Sequence, residues 1–377
     1  MEQVCEGVER QAEKRFTERN RITRLGLDAM KLVGESLTEV IDVCLVREEI
    51  KLARFRAAFM SGLVAATYFG EARFAHSGAP KPLHFSDSFE PSPNTAQPVH
   101  IVEIPMPKEW QEGKSRWYLE QYSREWLVRH VAKANPESHL LICDVDEIPS
   151  RLQLEEICGM PRNSAARSVP MKTSYLYGNW FTDSKRATWT KAKVVRAQDY
   201  VPGLRLKPLP KLRSEPGTHF SYLGFDHDAV SKKFQQFAHE EFDRAVLSSA
   251  RFINFCKASG INHLGHAGPP NFGLLNRLRE GDLDRLQLAL FAWNPAFFEF
   301  SFSREGVLPR LLRAQGVARV VAAAHDNRLV HAKRVLDATI RSPWLGGNIL
   351  RLVLEVTFGP YFWRKLHNLL KKKRDVE

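Results

Sequence analysis

The chain has 377 residues, 44% of them hydrophobic and 26% charged, with 55 Lys+Arg against 43 Asp+Glu for a net charge of +12. That composition excludes collagen-like and wholly disordered chains, and the length leaves room for one large domain or two ordinary ones. No apolar run approaches the ~18–20 residues of a membrane span. The charged opening MEQVCEGVERQAEKRF has no apolar signal-peptide core, so a cytoplasmic protein is expected. Five scattered cysteines without a CxxC spacing read as reduced thiols, not as a disulfide frame or a zinc site. The positive charge is uneven: residues 301–377 carry 15 basic against 6 acidic residues, and residues 185–215 carry 9 against 2. Two such surfaces suit phosphate-bearing partners, or are simply solvated basic faces.

Residues 1–40 are polar with a short apolar face and are expected as an N-terminal helical segment. Asp42–Val46 reads as a buried strand, residues 47–59 as a helix through Ile50, Leu52, Phe55 and Phe59, and Leu63–Phe69 as a second strand. The loop HSGAPKPLHF is punctuated by Gly78, Pro80 and Pro82, and residues 86–98 read as a polar connection. His100–Ile104 follows as a short strand, and residues 115–135 as a helix carrying Trp117, Tyr118, Tyr122, Trp126 and Leu127. Leu140–Cys143 is a continuous apolar run, the mark of a central strand buried on both faces, and it stops abruptly at Asp144. A helix at Leu152–Ile157 and strand-like stretches at 169–181 and 188–196 come next. This alternation predicts an α/β domain over 41–250, followed by a basic, helical extension over 251–377.

The sharpest local pattern is DVDEIPS, residues 144–150. In an open α/β sheet ligands bind beyond the carboxyl ends of the strands. Residues two apart in an extended segment point the same way, so Asp144 and Asp146 can face one hard cation, Mg²⁺ or Mn²⁺. Such a cation, bridging a diphosphate, would stabilise charge on a leaving group. The alternative is a loop leading into the next helix, with Ser150 as its N-cap.

The wider sequence resembles glycosyltransferase family 17, which includes the β-1,4-mannosyl-glycoprotein β-1,4-N-acetylglucosaminyltransferases. The resemblance is carried by Asp42, by EIKLARFR with Glu49 and Arg56, by a strand ending in Glu71, and by FAHSGAPKPLHF at 74–85. It continues through Trp117, Glu120 and Arg124, then DVDEIPS, and closes with PGTHFSYLGFDHDAVSKKFQQFAHEEF at 216–242. Thr218 stands where family members usually carry Trp. The resemblance implies an inverting transferase with a GT-A-like nucleotide-binding sandwich and a mostly parallel mixed sheet. It further implies a DxD motif, a divalent cation, UDP-N-acetylglucosamine or a related UDP-sugar as donor, and a glycan or glycolipid acceptor.

Within that frame Glu71 is a candidate to hydrogen-bond uracil or ribose, or to pair with nearby Arg73. His76, Ser77 and Lys81 lie in a Gly/Pro loop suited to meeting the nucleotide. His219 is a candidate metal ligand or diphosphate contact beside Asp144 and Asp146. Inversion by single displacement needs one carboxylate to take the acceptor's proton. Glu240, Glu241, Asp226 and Asp228 are the candidates; Glu240 is preferred, with Asp228 next. The basic residues of 185–215, interleaved with Tyr175, Tyr177, Trp180, Phe181 and Trp189, would also suit a nucleic-acid binder. No RNP, KH or zinc-finger signature accompanies them, so nucleic acid is not the expected partner. The apolar stretch before KKKR at 371–374 reads either as a packing helix or as a peripheral contact with an anionic membrane. Two rivals remain: a haloacid-dehalogenase-like phosphatase, for which Glu147 is the wrong residue after the second Asp, and a non-enzymatic polyanion or lipid binder.

Overall fold

The computed structural model describes residues 39–110, 115–182, 188–236, 249–262 and 275–300, which belong to two compact units. Nearly all of the expected N-terminal helical segment, and the basic tail from 301 onward, lie outside the described residues. The first unit is built on strands β1 (Val40–Leu45), β2 (Ala66–Ala72), β3 (Val99–Ile104) and β4 (His139–Asp144). They are joined by helices α1 (Ile50–Phe59), the short α2 (His84–Ser88) and α3 (Arg116–Ala134). The chain continues through β5 (Glu147–Ile148), α4 (Arg151–Cys158), β6 (Arg167–Ser168), β7 (Met171–Tyr175), β8 (Trp180–Thr182), β9 (Lys193–Arg196) and β10 (Gly217–Ser221). Beyond these come α5 (His227–Gln236), α6 (Ala250–Ser259), β11 (Leu275–Arg277) and α7 (Arg285–Trp293).

The main sheet has six strands in the order β3-β2-β1-β4-β9-β6. The first four are mutually parallel, β9 runs antiparallel beside β4, and β6 runs antiparallel to β9 and so in the direction of the first four, which makes a mostly parallel mixed sheet. Within the same unit β10 runs parallel to β7 and antiparallel to β5, forming a second layer of strands. The fold is α/β, as the alternation of elements predicts. In the second unit β8 and β11 pair antiparallel, and α5 lies beside α6.

The core explains why β4 reads as a continuous apolar run and β1 as a buried strand. Ile41 and Val43 align with Leu140 and Ile142, and this face packs beneath Leu119, Leu127 and Val131 of α3. Fully burying each such side chain contributes about 1.5–3 kcal/mol relative to leaving it in water. At Gly70 of β2 a Cβ would come within 2.6 Å of the Leu127 side chain, so a larger residue there would have to displace the Leu127 methyls of α3. On α1 Phe55, Arg56 and Phe59 are all buried. The four described cysteines, Cys44, Cys143, Cys158 and Cys256, are buried, and burial pushes the Cys143 thiol up to about 12.

The segment after 250 is not one continuous extension. Residues 278–299, with α7 capped by Asp284 and Gln287, return to the first unit. β11 also falls where no strand is expected, because three residues are too few to carry a periodic signal.

The order 3-2-1-4 positions the site. The chain steps outward from β1 through β2 to β3, then α3 carries it back to β4 on the far side of β1. The crevice beyond the carboxyl ends of β1 and β4 is therefore the topological switch point, where open α/β sheets take their ligands. Leu45 and Asp144 are register partners at that edge.

Candidate active site

The DVDE turn at the end of β4 is held by its backbone before its side chains do anything. Arg56 of α1 pairs with Asp42 of β1 through two bonds of 2.7 and 2.9 Å, and neither side chain touches solvent. The same guanidinium donates to the carbonyl of Glu147 at 2.5 Å and of Asp144 at 3.4 Å. Phe220 N–H donates to the Asp146 carbonyl at 2.8 Å, bringing β10 against the turn. Ser150 caps α4 in a reciprocal box with Gln153, and Gln153 also accepts from Gly217 N–H at 2.9 Å. A Cβ at Gly217 would lie 2.3 Å from the carbonyl oxygen of Ile148, so β10 reaches this depth only because the residue is glycine. The helix cap is therefore Ser150, and the acidic residues of the turn are left for other partners.

Those partners are arginines. Arg124 of α3 binds Oδ1 of Asp144, and Arg205 binds its Oδ2 at 2.6 Å. Arg205 also grips the fully buried Glu147, with Nη1 at 2.6 Å from Oε2 and Nη2 at 2.7 Å from Oε1. Glu147 additionally accepts from the Trp189 indole N–H and from Asp144 N–H. Burial alone would raise the Asp144 carboxyl, but Arg124 and Arg205 outweigh it and hold that carboxyl well below the usual carboxylate range. Arg124 also reaches Glu120, one turn earlier on α3, at 3.3 Å.

A second pair lies beside this cluster. The antiparallel register of β5 and β10 sets His219 opposite Glu147 and places its Nε2 3.6 Å from Asp146 Oδ2. The imidazole also lies against the Trp189 ring, with centroids 4.4 Å apart. Burial works against a charged ring, yet the Asp146 carboxylate, with Glu147 and Asp144 behind it, raises His219 above the ordinary histidine value. Its Nδ1 is buried without a hydrogen-bond partner. His76 behaves oppositely: burial, then the charges of Arg47 and Arg124, push it well below the ordinary value. It is thus a neutral ring, and Arg47 Nη2 lies 2.8 Å from its Nδ1. Tyr222, immediately after β10, adopts φ 57 although it is not glycine. Such a conformation costs about 1–2 kcal/mol, and strain of this kind collects at functional edges.

The sequence-predicted residues divide accordingly. Asp144, Asp146, His219 and His76 gather at the switch point with Arg47, Glu120, Arg124, Glu147, Trp189 and Arg205. Glu71, fully buried at the end of β2, is turned to its own chain. Its oxygens accept from Lys81 Nζ at 3.0 Å, from Phe85 N–H at 3.2 Å, and from Ser86 N–H and Oγ at 2.9 and 3.0 Å. Glu71 thus fastens the start of α2, and Lys81 is its counter-ion, whereas Arg73 pairs with Glu103. Asp228 lies in the first turn of α5, in the second unit, and Glu240 and Glu241 fall outside the described residues.

The donor set as arranged does not fit a divalent cation. Both oxygens of Asp144 are engaged by guanidiniums, and Asp146 is coupled to an imidazole that it helps to keep protonated. Among the described residues no group of three or more His, Cys, Asp or Glu converges as a metal cage.

Comparison with known proteins gives this geometry its class. The model of glycosyltransferase family 17 matches residues 27–263, well over half of the chain. The chain belongs to glycosyltransferase family 17. It is a glycosyltransferase, acting between a sugar donor and a glycan acceptor. No curated protein matches it. Family membership decides against the phosphatase and the non-enzymatic binder. Among the described residues no helix is long and apolar enough to cross a membrane.

Proposed function

We propose that the chain transfers N-acetylglucosamine, or a closely related hexosamine, from a UDP donor to a glycan hydroxyl with inversion, on a GT-A-like domain. The observation that carries this reading is the convergence of Arg47, Arg124 and Arg205 with the DVDE turn at the switch point, in a family 17 chain. Arginine forks match phosphate oxygens in geometry and charge, so a nucleoside diphosphate is the leaving group that suits this edge. The acceptor oxygen attacks the anomeric carbon while the diphosphate departs from the opposite face. One carboxylate takes the hydroxyl proton. Glu240 is the base in this reading, with Asp228 as the alternative.

The test is release of UDP from UDP-N-acetylglucosamine with a soluble glycan acceptor. Glu240→Gln keeps donor affinity and lowers turnover about a hundredfold or more, as loss of a general base does. A fully active Glu240→Gln with an inactive Asp228→Asn moves the base to Asp228. Activity in both variants, and in Asp226→Asn and Glu241→Gln as well, removes this segment from the reaction. A lipid-linked acceptor would bring the chain to an anionic membrane through KKKR at 371–374, where each basic residue contributes about 1 kcal/mol. Sedimentation with anionic but not neutral vesicles, weakened by salt, tests that part.

A further inference from the structure

The pairing of Asp144 points past the DxD motif to a residue that no motif marks. Arg205 sits in a 3-10 turn, Leu204–Leu206, that follows Gly203 in the left-handed region at φ 71. This turn is anchored at two points: Leu204 is buried in the main core, and Gly203 N–H donates to Glu125 of α3 at 3.1 Å. Arg205 is therefore presented by fixed backbone, and its side chain is only 11% exposed. Its two carboxylate partners come from one turn, yet they lie 61 and 58 residues away in sequence.

A guanidinium carries five N–H donors. Three are used on Asp144 and Glu147, which leaves two for another acceptor. Arg124 contributes a second cation to the same aspartate and retains further donors of its own. A divalent ion at Asp144 would have to dislodge Arg205, which would take a counter-charge from Glu147, a carboxylate with no access to water. It would also sit beside two guanidiniums that repel it.

We infer that Arg205, with Arg124, is the resident cation of this site: it meets the diphosphate of the nucleotide-sugar and stabilises it as it leaves, so that transfer does not depend on a divalent metal. This rests on the UDP-donor reading above. In the step concerned, the bond between the anomeric carbon and the β-phosphate oxygen breaks. Its electron pair goes to that oxygen, where the remaining N–H groups of Arg205 and Arg124 receive the charge. The acceptor oxygen forms the new bond to the anomeric carbon and passes its proton to the carboxylate base. UDP keeps the phosphate charge, and no co-reactant is needed. Oriented, charge-assisted donors of this kind act where the charge develops, with little reorganisation.

The experiment is calorimetric titration of UDP into the full chain, in EDTA and in excess Mn²⁺, with UDP release from UDP-N-acetylglucosamine measured under both conditions. The expected result is binding and turnover in EDTA, each changed less than about threefold by Mn²⁺. Arg205→Ala, checked for folding by its thermal transition, should weaken UDP in EDTA by about ten- to a hundredfold, as loss of hydrogen bonds to a charged group does. Mn²⁺ should restore part of that loss, because the freed Asp144 can then take the metal; Arg205→Lys should fall between the two. If Arg205→Ala does not fold, the wild-type comparison decides alone. UDP binding by the wild type only with Mn²⁺ overturns this inference and leaves the UDP-donor reading standing. UDP binding under neither condition overturns the UDP-donor reading itself, and this inference with it.

Discussion

Glu71→Gln separates a residue that reads the donor from one that builds the loop beneath it. Glu71 is fully buried and its two oxygens receive four donors: Lys81 Nζ, Phe85 N–H, Ser86 N–H and the Ser86 hydroxyl. Glutamine keeps the shape but replaces one acceptor by an NH₂ group. If the NH₂ takes the Oε1 position, it faces Lys81 and the Phe85 amide. If it takes the Oε2 position, the Ser86 hydroxyl can turn to accept, but the Ser86 amide cannot. Either way a buried backbone N–H loses its partner, at about 1–3 kcal/mol, and Lys81 loses its counter-charge. The total comes to about 2–4 kcal/mol, a large share of the ~5–15 kcal/mol by which a domain is stable. At about 2–4 °C per kcal/mol for a unit of this size, the melting midpoint should fall by about 4–16 °C. Differential scanning calorimetry measures the fall, and UDP titration well below the transition should show affinity changed less than about threefold. An unchanged midpoint with UDP binding lost would refute the reasoning and return Glu71 to the donor.

Other outcomes follow from charges that have no water around them. Arg56→Leu or Asp42→Leu should each cost about 3–5 kcal/mol in chemical denaturation, since either change leaves one partner of a fully buried pair alone. The double variant should cost clearly less than the sum of the singles, and strict additivity would count against the pairing. The raised His219 gives a pH signature. Its stabilisation is full well below pH ~6.5, the ordinary unfolded value, and vanishes as pH rises through the elevated folded value. The difference in urea midpoint between wild type and His219→Phe should therefore shrink from pH 5.5 to pH 9; a gap that stays constant would mean that His219 packs without titrating. His76, pushed the other way, contributes stability above pH ~6.5 that is lost as pH falls through its depressed folded value. His76→Phe should accordingly flatten the acid limb of the stability profile.

How far the sequence could be read depended on whether a feature was local. β1 and β4 are buried on both faces, so β4 appears as an uninterrupted apolar run that Asp144 ends, while β1 is broken only by Asp42, which is buried and paired. α3 is long enough for its face to repeat, and Ser150 with Gln153 announces the start of α4 within four residues. The lone β11 and the return of residues 278–299 to the first unit carry no such repeat. Charge behaved in the same way. The excess over 185–215 is plain in a count, but a count gives Arg205 the same weight as Lys207 or Lys211, which stand outside the site's pairs. Glu147 registers in sequence only as the wrong residue for a phosphatase, although it is the carboxylate around which Arg205 and Trp189 assemble. Glu71 looks like a donor contact because it ends a strand at the functional edge, and its real partners emerge only when the loop at 81–86 folds back over it. An acidic pair two residues apart therefore does not by itself define a metal site. What decides its chemistry is which cation the fold has already placed against it, and here that cation arrives from a turn about sixty residues away, anchored by a buried leucine and a backbone amide.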